Sequence, residues 1–557
     1  MNTLLISLTR FGDLLQSQAA VRELAANGGR VGVVCLENFA PAVQLLEGVD
    51  VVFPLPSSGL LAALHAPASS SPATGALCPG WMHALGGLAQ WRNAVLQDFP
   101  PDYVCNLTPT LSARILSLFL AGDAPITGFG LDAQGFSVNS SLWVSFLQGA
   151  SQVRGVSPFN VVDVFRRVAA PACTAQVPIS FPLPEGTTGL CGNARLRAPQ
   201  GAMHAAALDG MRQEAPQEAK GFVGMQLGAS DNKRRWPVAY FVEAGQALWD
   251  THKLCPVLLG SASELELAER YIAQATHPVV SRCGKTSLLE LASLVQGLNV
   301  LITNDTGTMH LAAGLGVPLV SIFLATAQPF DTGPYSVGSV CLEPGLPCHP
   351  CAFGSACPRN NECRYSISPA LVARYAHALF KEQPLAPGAC PEAVLAGTRV
   401  WLSEFDTTGE ISLASLSGHQ QEDRSVWLFL LRELLRQFLD RQRTVPFVLQ
   451  TSHLRFCCSP DMRQKLQGEL ARLCGTLELM QQQGRLLLVR RLEHVQKKFL
   501  AGWESVFSLL RASPYFAALA FVWQEETQAE GQSMPDVLEV MGQFQSLFVN
   551  LAAFIAV

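Results

Sequence analysis

Leu301-Ile302-Thr303-Asn304-Asp305-Thr306-Gly307-Thr308-Met309-His310-Leu311-Ala312-Ala313 decides the fold of this chain. Val300, Leu301 and Ile302 form a short apolar run that reads as a buried strand. It stops at a small polar turn, and a helical apolar pattern follows at Met309, Leu311, Ala312 and Leu315. Two readings of the turn stand side by side. Asp305 or Thr306 caps the helix, or the free backbone N–H groups and the positive end of the helix dipole seat a phosphate.

The same alternation recurs on both sides of this stretch. Leu4 to Leu8 reads as a strand followed by Arg10-Phe11-Gly12-Asp13 and a helix through Leu14, Ala19, Val21 and Leu24. Further strands are expected at 31–35, 51–53, 103–105 and 126–128. A second series opens at Phe222 to Leu227 and runs through helices and strands to Pro318–Phe323. Strands alternating with helices predict parallel, doubly wound sheets. The chain divides into an N-terminal Rossmann-like domain (1–176), a Pro- and Gly-rich linker (177–220), a second Rossmann-like domain (221–385) and a helical extension (386–557). Residues 57–75, rich in Ser, Ala and Pro, read as a surface loop. In the extension, Trp427, Leu430, Leu431, Leu434 and Phe438 repeat at helical spacing and read as core, without chemistry.

Composition narrows the function. With 557 residues the chain exceeds one core. Apolar residues make up 49% and charged ones 15%, as in a globular protein with large cores. A net charge of −5 leaves no overall footprint for nucleic acid. Met1 to Leu8 lacks a basic leader and reads as a first strand. No run reaches the roughly 18 apolar residues of a spanning helix, and residues 547–557 are expected to pack as a buried helix. Most of the sixteen cysteines are expected to be free and buried in a reducing compartment.

Several side chains could carry chemistry. Cys283-Gly284-Lys285-Thr286 imitates the end of a P-loop, but Val279 stands where that motif needs glycine. Asp13, at the carboxyl end of the first strand, is placed either to cap a helix or to act as a general base on a hydroxyl. Gly228-Ala229-Ser230-Asp231-Asn232-Lys233-Arg234-Arg235-Trp236-Pro237 follows the second domain's first strand. Its three consecutive cations suit a diphosphate leaving group, or form a solvated turn before a helix. Cys348, Cys351, Cys357 and Cys363 form a C-x2-C-x5-C-x5-C cluster that reads as a structural zinc or disulfide loop.

Together these stretches resemble glycosyltransferase family 9, the ADP-heptose:lipopolysaccharide heptosyltransferases. The resemblance rests on Arg10-Phe11-Gly12-Asp13-Leu14-Leu15, the 228–237 loop, Gly284-Lys285-Thr286-Ser287-Leu288, Asp305 to Gly316, Thr332-Gly333-Pro334-Tyr335 and the cysteine loop. It covers about residues 1–385. It implies a GT-B fold with two Rossmann-like domains facing a cleft, and inverting transfer with no metal or other cofactor. Asp13 is then the base, and Ser230, Lys233, Arg234, Glu264, Asp305, Thr306, Gly307 and His310 bind the donor. The implied partners are a nucleotide sugar, ADP-heptose, and a lipid-linked or core oligosaccharide acceptor. The implied location is cytoplasmic, with peripheral contact at the inner membrane face. Two departures stand out. Arg234 occupies the position where the family usually has lysine. Residues 1–150 hold no lysine and only Arg10, Arg22, Arg30, Arg92 and Arg114, which suits an acceptor less anionic than a phosphorylated core.

Overall fold

The computed structural model describes residues 1–26, 28–65, 79–153, 155–170, 194–388, 390–395, 397–440, 458–528 and 532–556. Two parallel-rich sheets carry the architecture. The first contains Asn2–Ser7 (β1), Arg30–Leu36 (β2), Val51–Leu55 (β3), Tyr103–Asn106 (β4), Ile126–Leu131 (β5) and Ser137–Asn139 (β6), in the order β3-β2-β1-β4-β5-β6. The second contains Gly221–Gln226 (β7), Leu254–Leu259 (β8), Val280–Ser281 (β9), Val300–Asn304 (β10), Leu319–Ile322 (β11), Val340–Pro344 (β12), Thr398–Phe405 (β13) and Ile411–Ser415 (β14). Its order is β14-β13-β12-β11-β10-β7-β8-β9. Among the described strands only the pairs β5–β6, β12–β13 and β13–β14 are antiparallel.

Strand order places the candidate site. In each sheet the chain starts in the middle, at β1 or β7, moves outward, then crosses back to β4 or β10. The loops after β1 and β4, and after β7 and β10, therefore lead away from each other and leave a crevice at the strand carboxyl ends. Helices cover both faces, so the strands read as unbroken apolar runs; Val300, Leu301 and Ile302 are all fully buried.

Three segments depart from the expectations. Ser57–His65 is a helix, started where Glu37 accepts the Ser58 N–H at 2.7 Å and continued by good helix formers; residues 66–75 of the expected loop lie outside the described residues. Residues 398–415 are strands β13 and β14, added to the second sheet, and helices of the extension follow them. The last helix, Met534–Ala556, departs from the expectation that no run reaches spanning length: it is the one described helix long and apolar enough by composition to cross a membrane. Met541, Phe544, Phe548, Leu551 and Ile555 bury one stripe of it inside the molecule, against Pro460–Val489 and its neighbours.

The linker is partly outside the described residues (177–193), yet its end is docked. Leu196 fills the space a Cβ on Gly314 would take, and the Arg197 N–H donates to Leu45 O at 2.7 Å. Buried charges fasten the rest. Arg167, in the helix Val161–Ala169, donates to Glu410 at 2.7 Å and to both oxygens of Asp440 at 2.9 Å. Arg432 donates to Asp406 at 2.8 Å. Asp163 accepts from Tyr335 Oη at 2.6 Å and from the Ile411 N–H at 3.2 Å. Removing one partner of such a buried pair costs about 3–5 kcal/mol, because the other charge is left stranded. The first domain, the β13–β14 turn and the helix Asp423–Leu439 are thus joined by their polar cores.

Candidate functional site

The crevice of the second sheet is lined by the loops after β7, β8 and β10. Asn304, the last residue of β10, ties two of them together. Its side-chain amide donates toward the carbonyls of Gln226, Leu227 and Gly228 at 3.3, 2.9 and 3.1 Å. Its Oδ1 accepts the Trp236 N–H at 3.0 Å. Trp236, fully buried, anchors the far end of the cationic loop by donating from Nε1 to Ile367 O at 3.0 Å.

Within that frame Arg234 donates to Asp305 Oδ2 and, at 3.3 Å, to Ser230 Oγ. The Arg234 Nε is buried without a protein partner, so one arm of the guanidinium fork is uncommitted. Thr306 is the N-cap of the helix Gly307–Leu315, but no side-chain oxygen caps that helix. Its hydroxyl lies 3.2 Å from that of Thr303 instead. The simple capping reading of Asp305-Thr306 therefore fails: Asp305 is committed to Arg234 and Thr306 to β10.

Glu264 sits in the loop after β8. It accepts from the Ser261 N–H and Oγ at 2.7 and 2.9 Å and from Gln226 Nε2 at 3.1 Å. Thr308 Oγ1 in turn donates to Gln226 Oε1 at 3.0 Å. A Cβ on Gly228 would stand 1.4 Å from Glu264 Oε1. Glycine at 228 is what lets this carboxylate reach the crevice. The charge of Lys233 acts on Cys351 and Cys357 of the cysteine loop.

The first domain closes the site from the opposite side. The helix Phe11–Gln16 brings Asp13 to its first turn, where Oδ2 accepts the Arg10 N–H at 3.2 Å. A Cβ on Gly12 would stand 2.9 Å from His310 Cδ2 and 3.2 Å from Gly307 Cα. Only hydrogen at both positions 12 and 307 allows the two helix starts to meet this closely. His310 is half-buried, and its Nδ1 has no protein partner. Burial lowers its pKa, while Asp305 and Asp13 oppose that shift. The imidazole is therefore neutral at pH 7.

The four cysteines of the 348–363 loop are free thiols, Cys348 exposed and Cys363 buried. Burial, then the neighbouring thiols of Cys363, Cys348 and Cys357, push the Cys351 thiol up. The four are thus neighbours, but no metal-ligating group of three or more side chains is assembled among the described residues. A separate cavity of about 400 Å³ lies between Val153, Gly155, Val156, Pro350 and the helical extension, lined by Arg424 and Trp427 among others. Gln226 and Asn304 are the site neighbours given no role from the sequence; the visible signal was a polar residue ending an apolar strand.

Residues 161–359 match the model of glycosyltransferase family 9 (heptosyltransferase). Lipopolysaccharide heptosyltransferase 1 of Pseudomonas aeruginosa is 33% identical over 152 residues, 27% of this chain and 39% of that protein. Lipooligosaccharide heptosyltransferase 2 of Campylobacter jejuni is 28% identical over 171 residues, 30% of this chain and 53% of that protein. The chain thus spans about half or less of the length of the curated relatives it matches. Among solved structures, a family 9 glycosyltransferase from Veillonella parvula is similar in fold, with a TM-score of 0.50 at 16% identity over 69% of this chain and 98% of that one. The loops at 228–237, 264 and 305–310 lie inside the family match; Asp13 and the helical extension lie outside it.

Proposed function

We propose, with the family 9 match as premise, that this protein is an inverting GT-B glycosyltransferase. It transfers heptose from ADP-heptose to a lipopolysaccharide-core or related surface-glycan acceptor at the cytoplasmic face of the membrane. The observation that supports this most is the meeting of the two helix starts at Gly12 and Gly307, where the charges of Asp13 from one domain and of Asp305 and Arg234 from the other all act on His310.

In this reading the nucleotide sugar's diphosphate lies over the N-terminus of the helix Gly307–Leu315, with Arg234 and Ser230 beside it and Lys233 at the rim. Asp305 orients the Arg234 fork, and the spare Nε donates to a phosphate oxygen. Glu264, held by Ser261 and Gln226, receives the hydroxyls of the nucleoside. The Asp13 carboxylate takes the proton of the acceptor hydroxyl. That oxygen then attacks the anomeric carbon from the face opposite the diphosphate. The carbon–oxygen bond to phosphate breaks, and the bond's electron pair leaves with the nucleoside diphosphate. Negative charge grows on the leaving group, so the helix terminus and Arg234 stabilise the transition state more than the ground state. The neutral His310 donates or accepts one hydrogen bond at the reacting sugar.

A second reading, transfer to an uncharged or weakly anionic acceptor, is favoured by the first domain's cations. Arg114 is buried and donates to Gly130 O, Val138 O, Asn139 and Gln148. Arg22 pairs with Glu47, Arg30 with Asp50, and Arg92 donates to Phe119 O. Of the five arginines in residues 1–150, that leaves Arg10, exposed beside Asp13, to meet an acceptor. Nucleoside diphosphate release from ADP-heptose, with phosphorylated and dephosphorylated core acceptors run in parallel, tests both readings. No release with either acceptor would sink the enzymatic reading; release with the phosphorylated acceptor alone would sink the second.

A further inference from the structure

We infer that Arg424, in the helical extension, is a positioning residue for the donor loop, holding the turn that supports Asp305. The inference rests on the reading of Asp305 as part of the donor site. Arg424 lies outside the family-matched residues, in a segment whose pattern reads only as core.

The guanidinium bridges two parts of the second domain. Its Nη1 donates to Glu343 Oε1 at 2.8 Å, at the end of β12, and its Nη2 donates to Gln328 Oε1 at 2.6 Å. Gln328 is fully buried and is the N-cap of the short helix Pro329–Thr332. Its Nε2 has no protein partner, so Arg424 supplies the one side-chain hydrogen bond described for it. Thr332, at the other end of that turn, lies with Oγ1 3.2 Å from Gln328 O and 3.5 Å from Asp305 Oδ2, the oxygen that also receives Arg234. The arginine stacks over Phe330 of the same turn, 5.4 Å from its ring centroid.

Other parts of the fold hold the turn from different sides. Asn160 of the first domain donates to Gly333 O at 3.0 Å. Trp401 of β13 meets Phe330 edge-on, and donates to Glu343 Oε1 at 3.1 Å. Glu343 also receives His349 of the cysteine loop at 3.1 Å. Burial works against ionisation of Glu343, but Arg424 first, then His349 and Arg399, hold its carboxyl well below the usual range. One arm of Arg424 thus acts as counter-charge to Glu343. The second arm, onto Gln328, is what neutralising Glu343 does not require.

Two substitutions separate these roles in the full-length protein. Arg424→Lys keeps a charge for Glu343 but cannot span both acceptors with one ammonium. Gln328→Leu leaves the Arg424–Glu343 pair and removes only the arm to the turn. Amide hydrogen exchange is the first readout, since local opening reports the loss of a local anchor. Both variants are expected to exchange roughly tenfold faster at 328–334 and 305–308, with 340–344 and the helix Asp423–Leu439 as in wild type. The second readout is ADP affinity by calorimetry, expected to weaken roughly tenfold in both variants. Unchanged exchange at 305–308 in both variants overturns the inference, as does a Lys variant equal to wild type in both readouts. Wild-type protein that binds no ADP would instead overturn the donor reading, and the exchange result still decides whether Arg424 holds the Asp305 loop.

Discussion

The two sheets share one strand logic but differ in what their central loops contain. In the second, each loop at the crevice is tied to another: Asn304 to the 226–236 backbone, Arg234 to Asp305, Gln226 to both Glu264 and Thr308. In the first, the equivalent loop offers Asp13 and one backbone hydrogen bond, and four of its domain's five early arginines are engaged within the domain. The difference teaches where recognition is built in advance. A diphosphate brings two or more charges that need prepaid, oriented donors, whereas an acceptor hydroxyl needs a carboxylate at the right distance.

The sharpest way to break this comparison is at Asp13. Asp13→Asn keeps an oxygen for the Arg10 N–H, so the helix start survives, but the side chain can no longer take a proton at neutral pH. The turnover number for transfer is expected to fall by about 10²–10⁴, with donor affinity little changed. Transfer at the wild-type rate would remove the first domain's only assigned chemistry. The next largest effect belongs to the second domain. Asn304→Ala strands the Trp236 N–H and up to three carbonyls, each a buried group worth about 1–3 kcal/mol if left unpaired. The expected result is a lower unfolding midpoint in urea together with weakened ADP binding. Stability lost without any change in ADP affinity would mean that the crevice loops are not wired as a unit.

Much of this was legible in the residues because parallel strands buried on both faces leave an unmistakable pattern. Val300-Leu301-Ile302 and Leu4-Leu5-Ile6 announced β10 and β1, and the polar turn after each announced its crevice. The candidate-site residues legible in the sequence are charged side chains that directly follow an apolar strand, such as Asp13 and the Lys233-Arg234-Arg235 run. What escaped was cross-chain. Asn304 acts through carbonyls 76 to 78 positions away, and Arg424 through residues 81 and 96 positions away, so no local window contains either interaction. Strands β13 and β14 escaped for a related reason: they join the second sheet by antiparallel pairing to β12, far earlier in the chain, amid long helices that dominate the segment.

A smaller effect sharpens the donor side. Arg234 stands where the family usually has lysine, and its fork serves Asp305 and Ser230 together while keeping Nε spare. An ammonium in its place can hold Asp305 or a phosphate, but not with the same planar geometry. Arg234→Lys is expected to raise the KM for the nucleotide sugar by roughly tenfold, about the worth of one charge-assisted hydrogen bond. If KM stays put and only the turnover number falls, Arg234 acts on the departing charge alone.

The smallest effect lies where the two domains touch. Burial lowers the pKa of His310, Asp305 and Asp13 oppose that shift, and Arg234 adds to it. In the unfolded chain histidine titrates near about 6.5. As pH falls through that value the unfolded chain binds a proton that the folded protein does not, so stability is lost on acidification and is level above it. Wild-type Tm should therefore drop more between pH 7.5 and pH 5.5 than that of His310→Gln, with the protein's other histidines cancelling in the comparison. A bound diphosphate adds negative charge beside the ring and moves its pKa back toward the ordinary value. Saturating ADP is expected to narrow the gap between wild type and variant. Parallel Tm curves with and without ADP would place the diphosphate away from His310, and with it away from the contact between the two helix starts.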